Sequence, residues 1–259
     1  MIQTFQEIWA YRTMIQSLVH RELRGRYKAS VLGFLWTFIV PLSQLLVYTL
    51  VFSVILKSPI EKYYLYLFVA LIPWNFFSIC LTGGSSCVIH QSSMVNKIYF
   101  PREVIPISFV TGAFVNMLYC EIVVLLVCII SRVHFSFLSL LCLPIVMGVE
   151  YILALGITMI VSAIDVYFRD LEHILSILSM AWMFMTPIMY NISAVPEKLL
   201  PFFYLNPMTS IIMVYRDILY KGVVPNLTTL GTAAGMGLFF LLLGFFIFDR
   251  LKRRFSEVM

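Results

Sequence analysis

The sequence predicts an all-α polytopic membrane protein: six transmembrane helices, an N-terminal amphipathic interfacial helix, and short re-entrant gate helices between spans five and six. Three observations predict this class. Hydrophobic residues make up 61% of the 259 residues and charged ones 12%, whereas soluble domains hold about 45–50% and 25%. The 26 residues from Val31 to Leu56 carry no charge, and at about 1.5 Å of helical rise each they outreach the roughly 30 Å hydrocarbon core of a bilayer. Tyr63–Ile89, Ile174–Val195 and Val223–Phe248 are also uncharged, while Val104–Ser131 and Val133–Ile164 each hold one deep carboxyl group, Glu121 and Glu150. Backbone groups in lipid must be satisfied internally, which leaves helices or a closed barrel, and these runs lack the period-two alternation of barrel strands.

The predicted plan places an interfacial helix and basic flank at 1–30, a transmembrane domain at 31–252 and a cytoplasmic tail at 253–259. Spans fall near 31–56, 63–89, 104–131, 135–164, 172–193 and 225–249, with the gate helices near 196–222. No appended soluble domain is expected, so chemistry that needs a water-filled nucleotide pocket must come from a partner. The first 30 residues lack the continuous apolar core of a cleavable signal sequence.

Placing the N-terminus inside puts twelve Lys and Arg on cytoplasmic segments, from Arg12 to Arg254, against six outside: Lys57, Lys62, Arg132, Lys198, Arg216 and Lys221. The positive-inside rule then sets both termini in the cytoplasm. The net charge of +5 belongs to this flanking belt, which faces membrane lipids; no nucleic-acid partner is expected.

Along the chain, Ile2, Phe5, Ile8, Trp9, Ile15, Leu18, Val19 and Leu23 recur at three- and four-residue steps, opposite Arg12, Arg21 and Arg24. This amphipathic helix suits a membrane surface or a protein partner. Pro41, Pro73 and Gly83-Gly84 interrupt the first two spans and predict kinks or a break. After span two, Asn96-Lys97-Ile98-Tyr99-Phe100-Pro101-Arg102-Glu103 forms an inner loop whose apolar Ile-Tyr-Phe is flanked by charges, a pattern suited to a protein contact. The second inner loop holds Arg169 and Asp170, where Arg169 has an internal ion pair or a partner contact open to it. Pro196, Pro201, Asn206-Pro207 and Gly222 break the outer segment after span five, so short helices covered by other protein segments fit better than a seventh crossing.

Glu121 and Glu150 lie at depths where an unpaired carboxylate is costly; transport chemistry, pairing and a neutral state all remain open for them. Gly231 and Gly235 form a GxxxG pair on the last span, suited to close packing within or between subunits. Catalytic residues are not expected: the chain contains no GxxxxGK[ST], HExxH or GxSxG. The histidines His20, His90, His134 and His173 are dispersed, and the cysteines Cys80, Cys87, Cys120, Cys128 and Cys142 lack metal-ligand spacing, so no metal site is expected.

Several segments, in order, resemble the membrane subunit of type-2 ABC exporters for polysaccharides and teichoic acids, the Wzm, KpsM and TarG permeases. They are Tyr27–Trp36 with Pro41, Leu71-Ile72-Pro73-Trp74-Asn75-Phe76-Phe77, Lys97–Val104, Tyr167-Phe168-Arg169-Asp170-Leu171, Thr186-Pro187-Ile188-Met189-Tyr190 and Leu205-Asn206-Pro207-Met208. The resemblance covers nearly the whole chain. It implies a homodimer with two copies of a separate ATPase subunit in a bacterial cytoplasmic membrane. ATP and Mg would bind that partner, and this chain would hold no cofactor. It also implies a coupling helix within His90–Glu103 and a glycan or polyol-phosphate polymer on a lipid carrier as cargo.

On that reading the pore candidates are the aromatics Trp74, Phe76, Phe77, Trp182, Phe184 and Tyr190. The gate candidates are Pro187, Asn206, Pro207, Tyr215 and Arg216. Three other classes compete: an exporter of a small lipid or drug, a membrane-embedded lipid-linked sugar transferase using Glu121 or Glu150, and an ion-driven secondary transporter. The last predicts repeated halves, and no repeat is evident.

Overall fold

A computed structural model describes residues 2–27, 32–55, 57–95 and 97–258; Asn96 and the stretch from Lys28 to Val31 lie outside the described residues. The described chain is helical throughout and contains no strand. Helices α1 (Ile2–Ala10) and α2 (Arg12–Tyr27) are followed by α3 (Trp36–Thr49), which lies within an apolar helical run from Gly33 to Ile55. Helices α4 (Tyr63–Thr82), α5 (Cys87–His90), α6 (Ser92–Val95), α7 (Val104–Ile130) and α8 (Phe137–Asp165) come next. Then follow α9 (Leu171–Phe184), α10 (Leu200–Leu205), α11 (Pro207–Tyr215), α12 (Leu227–Leu251) and α13 (Phe255–Val258).

Among the described residues, five helical runs have the length and apolarity to cross a bilayer: Gly33–Ile55, Tyr63–Thr82, Val104–Ile130, Phe137–Asp165 and Leu227–Arg254. The crossing predicted at 172–193 differs. Its helix α9 has 14 residues, about 21 Å of rise, and ends before the Thr186-Pro187 turn. Even so, this segment carries the chain from one end of the bundle to the other. Just before it, the Tyr167 hydroxyl donates to the Leu251 carbonyl at the end of α12. Just after it, the Met189 and Tyr190 carbonyls accept from Tyr63 and Tyr66 at the start of α4.

Helix α4 is the axis of the bundle, with Leu65 to Trp74 all buried. An uninterrupted apolar sequence suits a helix surrounded by protein, because no face needs polar residues. The break predicted at Gly83-Gly84 is present. A Cβ at Gly84 would lie 2.0 Å from the Cys80 carbonyl oxygen, so the chain turns there as only glycine permits.

Helices α8 and α12 make the closest contact through other glycines. A Cβ on Gly156 would lie 2.5 Å from the Phe240 and Leu241 backbone, and one on Gly244 would lie 2.3 Å from the Gly156 oxygen. Gly231 and Gly235 meet nothing within 4 Å. Small residues thus let backbones approach, but through positions outside the GxxxG pair.

Two helices are placed differently from their patterns. The N-terminal helix breaks at Tyr11, and α2 packs Leu18 and Val19 inward beside α7, with Glu22 against Gly112. Helix α3 buries only Thr37 and Pro41, so most of the first span remains exposed on a single subunit.

Candidate functional site

Two clusters sit at opposite ends of the bundle, and an acidic pair lies between them. At the end predicted to be cytoplasmic, α5 and α6 lead into the loop from Lys97 to Glu103. Ile98 is 58% exposed and Tyr99 95%, but Phe100 is only 5% exposed. The predicted three-residue apolar patch is therefore two projecting side chains held by an inward anchor.

The loop is fixed from behind by the end of the last helix. Lys252 Nζ donates to Glu103 Oε1 at 2.5 Å and to Asp249 Oδ1 at 2.8 Å, and Arg102 donates to the Lys252 carbonyl oxygen. Phe255, fully buried, packs edge-on to Phe248 at 5.6 Å and lies under the Arg102 guanidinium at 5.7 Å. Tyr167 of the second inner loop meets Phe255 at 6.3 Å and donates to the Leu251 carbonyl at 2.8 Å. The tail thus joins both predicted inner loops to α12. In front of them opens a cavity of about 740 Å³, lined among others by Glu7, Tyr11, Tyr99 and Arg253. Arg169 and Asp170 are exposed, and Arg169 has no ion pair among the described residues.

At the opposite end the predicted gate residues converge. Asn206 caps α11, its Oδ1 accepting from the Met208 amide at 3.0 Å, as an Asn N-cap does. The same oxygen accepts from Trp182 Nε1 at 2.9 Å, and Nδ2 donates to Thr186 Oγ1 at 2.8 Å. Pro187 and Pro207 are buried beside this junction. Beyond α11 the chain winds as a π-helix from Arg216 to Tyr220. The Arg216 guanidinium lies 3.6 Å from the centre of the Tyr66 ring, and Nη2 donates to the Ile188 carbonyl at 2.6 Å. Tyr190 donates to the Phe184 carbonyl at 2.5 Å.

Between the clusters, Tyr215 is fully buried and donates to Glu150 Oε2 at 2.7 Å. Glu150 Oε1 and both Glu121 carboxyl oxygens are buried without a hydrogen-bond partner among the described residues. Of the aromatic pore candidates, Trp74, Phe76 and Phe77 are buried inside the subunit, with Phe77 against Trp182 at 5.2 Å. Phe184 is exposed, and Trp182 and Tyr190 are half-buried. No group of three or more potential metal ligands occurs among the described residues.

Sequence reasoning missed Lys252, Phe255, Tyr63 and Tyr66. Lys252 carried only a positive-inside signal, and Tyr63 and Tyr66 lay within an uncharged run with nothing to single them out.

The family model described as ABC-2 type transporter matches residues 13–220. An O-antigen export system permease protein of Myxococcus xanthus is 34% identical over 259 residues, covering 99% of each chain. A Klebsiella pneumoniae O-antigen export system permease protein is 31% identical over 242 residues, covering 93% of each. An Escherichia coli polysialic acid transport protein is 23% identical over 252 residues, covering 96% of this chain and 95% of its own.

Proposed function

The chain belongs to the ABC-2 type transporter family, and from that membership we propose that it is the membrane subunit of a polysaccharide exporter. It moves a lipid-linked glycan from the cytoplasm to the outer face of a bacterial cytoplasmic membrane, with both termini inside. The observation that carries this reading is near full-length similarity to O-antigen export permeases. It takes no part in catalysis: ATP and Mg bind a separate subunit, two copies of which serve a homodimer of this chain.

The geometry supports a coupling role for the inner loop. Ile98 and Tyr99 project outward, and such side chains gain by burial in a partner's cleft. Behind them, Phe100 and the Glu103–Lys252 pair resist lateral movement, so displacement of the loop passes to the start of α7 and the end of α12. Nucleotide binding can drive this only if docking energy differs between two states of the partner. The largely exposed α3 and the outward face of α9, with Ile174, Ile177 and Phe184 exposed, are the surfaces offered to the second copy.

The test is to co-express the chain with its ATPase and compare the wild type with an Ile98→Asp/Tyr99→Asp variant. The wild type should co-purify with the ATPase and hydrolyse ATP, and the permease alone should not. The variant should lose assembly or glycan-stimulated hydrolysis. If no ATPase binds and the variant behaves as wild type, the exporter reading falls.

A further inference from the structure

Three carboxamides meet at mid-depth of the bundle, on three neighbouring spans. Gln44 is the central residue of the Gly33–Ile55 run, and Asn75 and Asn116 lie within three residues of the centres of Tyr63–Thr82 and Val104–Ile130. At about 1.5 Å per residue, all three sit within about 5 Å of the middle of their helices, where polar groups are most costly in lipid. Asn75 Nδ2 donates to Gln44 Oε1 at 2.9 Å, and Thr37 Oγ1 donates to Asn116 Oδ1 at 3.2 Å. Ser78 extends the polar belt to α9 through Ser179 at 2.8 Å.

Gln44, Asn75, Asn116, Thr37 and Ser78 all line one cavity of about 340 Å³, and no charged residue among the described ones lines it. Asn, Gln, Ser and Thr also join membrane helices by hydrogen bonds across them. Here the amides border open space, and α3 is otherwise poorly packed. The bond between Gln44 and Asn75 uses one of about four hydrogen bonds that each amide can make.

We propose that this cavity is a glycan subsite, and that it takes uncharged, hydroxyl-rich sugar units of the exported chain. The inference rests on the export reading and deepens it. Carboxamides and hydroxyls both donate and accept, which matches sugar hydroxyls in either sense. A site without charge neither fixes nor favours an anionic sugar. Substrate sites near the bilayer midplane, lined by a few polar groups in an apolar wall, are general among transporters and pockets.

The test uses the permease–ATPase complex in vesicles. The five native cysteines, Cys80, Cys87, Cys120, Cys128 and Cys142, are replaced by alanine, and Val40→Cys, on the cavity wall, reports access while leaving every amide in place. Labelling by a small hydrophilic methanethiosulfonate is timed with polyprenyl-diphosphate-linked oligomannose, with the oligosialyl equivalent and with polyprenyl diphosphate alone. ATP hydrolysis is followed in the same samples.

At an oligomannose glycolipid concentration about tenfold above its Kd, occupancy should slow labelling about tenfold. The lipid diphosphate alone should not slow it, and the oligosialyl lipid should slow it far less. Adding Asn75→Leu should abolish the protection, and Asn75→Gln, which keeps a carboxamide, should retain part of it. Absence of labelling before ligand, or equal protection by the lipid alone or by the anionic chain, overturns the subsite. Glycolipid-stimulated hydrolysis without protection removes the subsite and leaves the export reading standing. Absence of both removes both.

Discussion

Lys252 and Glu103 are separated by 149 positions in the sequence, yet the lysine ammonium donates to the glutamate carboxylate at 2.5 Å. The pair closes the start of α7 onto the end of α12. Glu103 is 3% exposed and Lys252 24%, so the carboxylate has lost most of its water and depends on this partner. Asp249 holds the same ammonium at 2.8 Å, and the tail beyond it seats Phe255 beneath Arg102. A force on the exposed Ile98 and Tyr99 therefore meets a braced loop, which is what a coupling element requires.

Lys252→Ala should weaken this brace more than Asp249→Ala. Removing the lysine leaves the Glu103 carboxylate buried and unpaired, a loss on the order of 2 kcal/mol given the partly exposed partner. Thermal unfolding of the purified complex should shift down. ATP hydrolysis should persist while its stimulation by glycolipid falls. A double variant Lys252→Met/Glu103→Gln should recover part of the lost stability, because no uncompensated charge remains. Equal stability of Lys252→Ala and wild type would remove the brace from the mechanism.

Arg216→Lys should loosen the opposite end. An ammonium cannot lie flat on the Tyr66 ring while donating to the Ile188 carbonyl as the planar guanidinium does. The lost stacking is about 1–2 kcal/mol for a desolvated pair. Hydrogen exchange of the backbone from Thr186 to Tyr190 should quicken in Arg216→Lys and quicken further in Tyr66→Ala. Unchanged exchange in both would show that the turn is held without the arginine.

The helical runs were legible because lipid leaves the backbone no other solution, and the irregular outer segment was read from Pro196, Pro201, Asn206-Pro207 and Gly222. The length of α9 was not. Its apolar sequence continues past Phe184, and Pro187 alone does not fix the end, since Pro41 and Pro73 lie inside helices; the tertiary bonds from Asn206 to Thr186 and from Tyr63 to Met189 hold the turn that follows. Nor could the burial of Trp74, Phe76 and Phe77 be read from their positions, because a helix apolar on all sides carries no periodic signal separating lipid, pore and core. The Lys252–Glu103 pair left no trace either, since its partners are distant in the chain and each looks like a flanking charge. The three amides were visible only singly, on separate spans.

Asn206→Ala should destabilise the junction between α9 and α11 through more than one bond. The substitution removes the α11 cap, worth about 1 kcal/mol, together with the acceptor for Trp182 and the donor to Thr186. Asn206→Asp keeps the two accepted bonds and loses the two donated ones, to Thr186 Oγ1 and the Met185 carbonyl, so its melting temperature should lie between wild type and Asn206→Ala. Equal melting of the two variants would mean that the donated bonds dominate the junction, and an aspartate variant below the alanine one would mean that burying the new carboxylate costs more than the two accepted bonds return.

Gly244→Ala and Gly231→Ala separate the two kinds of glycine on the last span. A methyl group at position 244 would come 2.3 Å from the Gly156 carbonyl oxygen, which belongs to the backbone of α8 and cannot rotate away. The helices must separate, with a loss of about 1–3 kcal/mol as in other overpacked cores. Position 231 has open space within the subunit, so its alanine variant should melt with the wild type as an isolated permease. Comparing the two variants in the isolated permease and in the assembled complex then tests whether the proposed second copy packs on this face. If Gly231→Ala lowers the melting temperature only after assembly, the GxxxG face meets a neighbouring chain; if it is silent in both, that face lies against lipid.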